Sequence, residues 1–115
     1  MWYNYCGDYM IKYINENELE QVLNNNNKLI MVFGKGLNCS VCHAVEDRIN
    51  KTYPNKFKDL DIYYLTVEEN ANFRGQYLIF TTPTILLFDG NKEVHRESRI
   101  IDFNRMERIL NLYYS

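Results

Sequence analysis

Two short stretches, LIMVF at residues 29–33 and TILLF at residues 84–88, contain no charge and only one polar side chain between them. A strand with one wet face alternates apolar and polar residues. An unbroken apolar run must instead be covered on both faces, the usual cover is helices, and strands of this kind are usually parallel. The rest of the chain therefore has to supply helices for both sides of a sheet.

The flanking segments can do so. Residues 9–14 (YMIKYI) read as a first strand, and Asn15 with Glu18 forms a capping pair ahead of Leu19, Val22 and Leu23 at helical spacing. The four asparagines 24–27 read as a connecting loop. After LIMVF, Gly34-Lys35-Gly36 breaks the strand. Cys42, Val45 and Ile49 then keep one helical face, with Pro54 beyond the expected helix end. Residues 61–66 (DIYYLT) read as a strand, and a short helix is expected within residues 68–77. Asp89-Gly90-Asn91 signals a hairpin into residues 92–97, whose charges suit a sheet edge. Asp102 can cap a last helix striped by Phe103, Met106, Ile109, Leu110 and Tyr113. The order β-α-β-α-β-α-β-β-α predicts an α/β fold, a mixed sheet with helices on both faces and a terminal antiparallel hairpin. Residues 1–8 read as an N-terminal extension and 9–115 as one domain.

A chain of 115 residues with 46% hydrophobic and 24% charged residues has an ordinary globular balance. Net charge is −2 and the lysines and arginines are scattered, so no nucleic-acid partner is expected. The ten tyrosines and six phenylalanines then read as core or rim. No apolar run approaches the ~18 residues of a membrane span. The start, MWYNYCGDYMIKYI, lacks a basic leader and an apolar core like those of signal peptides. A monomer in the cytoplasm is the expectation, and asparagine and lysine usage suggests a bacterial source. Three cysteines cannot all pair within one chain, so they are not the disulfide framework of a small secreted domain.

Two of those cysteines lie in GLNCSVCHAVED, between a buried strand and the first turn of a helix. Cys39 and Cys42 fit a redox dithiol, Cys39 to His43 spells the C-x-x-C-H of haem attachment, and a close pair can be half a zinc site. Haem needs a second axial ligand that no methionine is singled out to provide. Structural zinc needs four ligands, which Cys6 with His95 or His43 would have to complete from scattered positions. For redox work the spacing is apt: residues three apart at a helix start bring their Cβ atoms within the ~3.5–4.5 Å a disulfide requires. The free N–H groups and positive dipole end of the helix favour a thiolate. On this reading Cys39 is the exposed nucleophile and Cys42, one turn in, the buried resolving thiol.

A buried strand, CSVC opening a helix, Thr82-Pro83-Thr84 before a second buried strand, a D-G turn and a closing helix together resemble the thioredoxin family, from about residue 9 to the end. The resemblance implies a thioredoxin fold and a thiol–disulfide oxidoreductase that exchanges protein disulfides, with a reductase or small thiol as reductant and no cofactor or metal. It also implies a cis Pro83 beside the cysteines, with Thr82, Pro83 and Asn38 holding the substrate chain. Cys6 lies outside the family-like region, and His95 reads as merely exposed.

The chain departs from the family pattern. Many thioredoxins carry W-C-G-P-C, where this sequence has Asn38 and the pair Ser40-Val41. The place of the family's buried aspartate falls on Val32 or Phe33, its companion lysine aligns near Tyr64, and the groove-lining glycine falls near Ile100. With no charged couple expected there, Glu46, one turn after Cys42, is the candidate base, and His43 a candidate modulator of Cys39. These changes favour a specialised member over a housekeeping thioredoxin. The rival reading is a binding or redox-sensing module without turnover.

Overall fold

The structure is a computed structural model that describes residues 3–6 and 9–114. Eleven segments build it in the order β1 (Tyr3–Cys6), β2 (Tyr9–Tyr13), α1 (Glu16–Asn24), β3 (Leu29–Lys35), α2 (Ser40–Lys56), β4 (Asp61–Thr66), a 3-10 turn (Val67–Glu69), α3 (Ala71–Gln76), β5 (Thr84–Asp89), β6 (Lys92–Ser98) and α4 (Phe103–Tyr114). The six strands form one mixed sheet ordered β1-β2-β4-β3-β5-β6. Strands β2, β4 and β3 run parallel, while β1, β5 and β6 are each antiparallel to their neighbours.

Both apolar runs lie at the centre, as the burial argument requires, but they are paired to each other antiparallel, Leu29 opposite Asp89 and Phe33 opposite Ile85. What makes β5 apolar is cover on both faces, which does not depend on strand direction. Alternate residues divide the core in two. Met31, Phe33, Tyr64, Ile85 and Leu87 pack with Cys42, Val45, Ile49 and Tyr53 of α2 and with Met106 and Leu110 of α4. Ile30, Val32, Leu65, Leu86 and Phe88 pack on the other face with Leu19 and Leu23 of α1 and Phe73 of α3.

The local signals act as their chemistry suggests. The Asn15 side chain accepts from the Glu18 N–H and the Glu18 carboxylate accepts from the Asn15 N–H, so the capping box closes α1. Asp102 Oδ1 accepts from the Arg105 N–H at 3.0 Å and starts α4. Gly90, at φ +65°, takes the left-handed position of the β5–β6 turn. Two segments differ from the sequence reading. Tyr3–Cys6, within the expected extension, is strand β1, paired to β2. Pro54 does not lie beyond the end of its helix: α2 continues to Lys56 with Pro54 buried inside. A proline in the last turn removes a single ladder bond, and the Phe57 N–H still reaches the Tyr53 carbonyl at 2.8 Å.

One carboxylate is fully enclosed. The Glu97 side chain on β6 has no solvent exposure. It accepts two bonds from Arg105, at 2.7 Å each, and one from the Asp102 N–H at 3.2 Å, with His95 Nε2 2.6 Å away. Burial pushes its pKa up, but the bonds from Arg105, His95 and Asp102 outweigh that and hold it below the ordinary glutamate value. A carboxyl depressed on folding contributes stability that is present above its unfolded pKa and lost as pH falls through the folded one. Glu97→Gln should therefore lower the urea midpoint at neutral pH and flatten its decline in acid. Urea titrations of both proteins from neutral to acid pH check this, and parallel acid profiles would refute it.

Candidate active site

The site forms where β3 leaves the sheet and α2 begins. Gly36 is buried, and a Cβ placed on it would stand 2.8 Å from Thr82 Oγ1 and 3.3 Å from Cys39 Cβ. Only a residue without a side chain lets the β3–α2 loop pass this closely beneath the Thr82 loop. Cys39 follows as the N-cap of α2 in extended conformation, and its Sγ accepts from the Cys42 N–H at 3.2 Å. Such a sulfur occupies the place where serine or aspartate oxygens usually satisfy a free N–H of the first turn.

Cys39 and Cys42 are joined in a disulfide with their Cα atoms 5.2 Å apart. They differ in access: Cys39 is half-buried, whereas Cys42 is wholly enclosed among Phe33, Tyr64, Val45 and their neighbours. A thiol released at Cys39 would face solvent, and one released at Cys42 the core.

Three connections fix the surrounding loops. The Thr82–Pro83 peptide is cis and Pro83 is buried. The Pro83 carbonyl accepts from the Arg99 N–H at 2.6 Å, which holds the turn carrying Ile100 against the Pro83 loop. The Glu68 carboxylate accepts from the Leu37 N–H at 3.2 Å and tethers the loop ahead of Cys39. Exposed apolar side chains lie on these loops: Leu37 and Val41 on the cysteine segment, Phe80 before the Thr82 loop and Ile100 after Arg99. The last two are 82% and 81% exposed. Asn38 is exposed next to Cys39.

The other residues singled out from the sequence separate. His43 is exposed on the first turn of α2. His95 belongs to the Glu97 cluster on β6. Among the described residues no group of three or more His, Cys, Asp or Glu side chains is placed to hold a metal. Tyr64 does lie opposite Phe33 in neighbouring strands, as the alignment of the family's missing aspartate and lysine suggested. That place carries no charge, as expected, but a charged couple forms elsewhere. Glu46 pairs with Lys35 at the end of β3, and their side chains are only 13% and 14% exposed. Sequence reasoning missed Lys35, Gly36 and Glu68. The signal for Lys35 was present: a lysine closing an otherwise apolar strand, ahead of a helix with a glutamate on its core-facing side.

A mixed sheet with helices on both faces and a disulfide-capable cysteine pair at a helix N-terminus define a thiol oxidoreductase of the thioredoxin class. The comparisons agree. The Thioredoxin family model matches residues 10–111. The thioredoxin-like protein YdfQ of Bacillus subtilis is 30% identical over 76 residues, 66% of this chain and 67% of the relative. Thioredoxin of Buchnera aphidicola is 34% identical over 85 residues, covering 72% of this chain and 76% of that one. Among solved structures, oxidized thioredoxin O2 from Arabidopsis thaliana superposes with a TM-score of 0.78 at 18% identity, over 91% of this chain and 95% of its own. The chain belongs to the thioredoxin family.

The contact across Gly36 can be tested by stability alone. Gly36→Ala should cost about 1–3 kcal/mol, the usual range for overpacking. Part of that cost should be recovered when Thr82→Ala removes the clashing hydroxyl. A double-mutant cycle of urea melts measures the coupling, and strictly additive losses would show that the two residues do not press on each other.

Proposed function

We propose that this protein exchanges its Cys39–Cys42 dithiol with the disulfides of protein substrates through a mixed disulfide. The observation that carries the reading is the asymmetry of the pair: one sulfur at the solvent edge of a helix N-terminus, the other enclosed directly behind it. The N–H that now donates to Cys39 Sγ also stabilises the thiolate form of that sulfur. Cys39 thiolate attacks one sulfur of the substrate disulfide, forming a Cys39–substrate bond and releasing the other substrate sulfur as a thiolate. Cys42, once deprotonated, attacks Cys39 Sγ, and the remaining substrate sulfur leaves with the electron pair. The substrate gains two electrons and the enzyme loses two, closing the disulfide seen in the structure. A reductase or small thiol then restores the dithiol. No cofactor or metal takes part.

The substrate chain lies across Asn38 and the Thr82-Pro83 loop, which abuts Cys39 at Gly36. The exposed Leu37, Val41, Phe80 and Ile100 favour a substrate whose disulfide is flanked by apolar residues. Asn38 and Ile100 narrow the range of partners and make this a specialised rather than a general thioredoxin. His43, exposed one turn beyond Cys39, adds to the positive field there when protonated. We place the protein in the cytoplasm as a monomer, where a reducing pool maintains the dithiol.

Insulin reduction driven by dithiothreitol tests the reading. The wild-type protein should turn over repeatedly, Cys39→Ser should abolish turnover, and Cys42→Ser should accumulate a disulfide-linked adduct visible by mass. A protein that oxidises once and stops would instead be a redox-sensing module.

A further inference from the structure

In the mixed disulfide, Cys42 must lose a proton inside the core, where it clusters with Phe33 of β3 and with Tyr64 opposite it in β4. Neither a phenylalanine nor a hydrogen-bonded tyrosine accepts a proton at neutral pH, and the Tyr64 hydroxyl donates to Asn50 Oδ1 at 2.6 Å. An acceptor has to come from elsewhere.

Resting on the exchange reading above, we propose that Glu46, held in place by Lys35, takes the proton from Cys42 in the resolving step. Cys42 and Glu46 are i and i+4 on α2, positions whose Cβ atoms lie about 5–6 Å apart on one helix face. Helical side chains lean toward the N-terminus, so that of Glu46 inclines toward the turn holding Cys42. On its outer side Glu46 is fixed by Lys35, whose Nζ also donates to Tyr13 Oη at 3.4 Å and lies 5.2 Å from the centre of the Tyr13 ring. Of the charged and titratable groups packed there, Lys35 from β3 meets Glu46 directly, Tyr13 from β2 joins through that lysine, Tyr64 from β4 feels the carboxylate's charge, and Cys42 lies one turn away on the same helix. Burial raises the Glu46 carboxyl above the ordinary value and lowers the Lys35 ammonium below its own. Both directions bring the couple closer to the thiol range, where proton exchange with a cysteine is most efficient.

The step balances simply. Glu46 carboxylate becomes carboxylic acid as Cys42 thiol becomes thiolate. The thiolate forms the Cys39–Cys42 bond, and the substrate sulfur leaves with the electron pair from its bond to Cys39. The proton then passes from Glu46 to water, which equilibrates with the released substrate thiolate. Glu46 is the base, and Lys35 a positioning residue that keeps its carboxylate beside the helix.

The two chemical steps can be timed separately with Ellman's reagent on the reduced protein, in a Cys6→Ser background. Cys39 releases one thionitrobenzoate as it forms the mixed disulfide, and Cys42 releases the second. In Glu46→Gln the first release should keep its rate. The second should slow roughly 10²-fold at neutral pH, a modest general-base effect, and recover as pH nears that of an ordinary thiol. Glu46→Asp should recover part of the loss. Because Glu46→Gln leaves a largely buried lysine unpaired, Lys35→Met with Glu46→Gln provides a second variant, expected to show the same slow second release. An unchanged second release with an unchanged pH profile in either variant overturns the role of Glu46 while leaving the exchange reading intact. A wild-type protein that never releases a second thionitrobenzoate overturns both.

Discussion

The rest of the structure depends on the burial of β3 and β5 on both faces. Met31 and Phe33 point one way, Ile30 and Val32 the other, and each set is covered by a different pair of helices. A strand enclosed in this way cannot carry polar chemistry along its length without a cost of several kcal/mol for each unpaired group. Function is thereby displaced to the end of the sheet, where β3 stops and the chain must turn into α2. The turn leaves the first N–H groups of a helix unpaired, and the Cys39 sulfur meets one of them.

The same constraint governs the charges. The most enclosed ones lie at the ends or edge of the sheet and come with partners: Glu97 with Arg105 and His95, and Glu46 with Lys35. Losing one member of such a pair costs more than the pair contributes, because the other is left without water or counter-charge. The Glu97 cluster ties β6 to the start of α4, while the Lys35–Glu46 couple ties the end of β3 to α2, one helical turn beyond Cys42. An aspartate within β3 would have had to be buried among apolar rings. A glutamate on the helix can reach the same neighbourhood from the rim, with a lysine at the strand's end to meet it.

Much of this was legible in the sequence because it is written locally. The cores of β3 and β5, residues 29–33 and 84–88, were visible as apolar runs, α1 as a capping box, and the cysteine pair by its place between strand and helix. Elements that depend on long-range contacts were less readable. Tyr3–Cys6 becomes a strand only because the edge of β2 is open to it, and YNYC alone carries too short a pattern to show that. Pro54 suggests a helix end by its own chemistry, yet burial of Tyr53 and Pro54 in the core keeps α2 going for another two residues. Lys35 and Glu46 are eleven residues apart and meet only when the helix folds back over the strand. The glycine at position 36 likewise shows its purpose only once Thr82 is seen above it.

The connections at Gly36, Leu37, Pro83 and Arg99 join segments that are far apart in the chain. The contact at Gly36 needs β3 paired with β5, which brings Gly34 opposite Thr84 across nearly half the chain. Until then the chain carries two ordinary thiols, with no helix end beside one and no enclosure around the other. Reactivity at Cys39 is in this sense a property of the finished sheet, which a newly made chain acquires only with that contact.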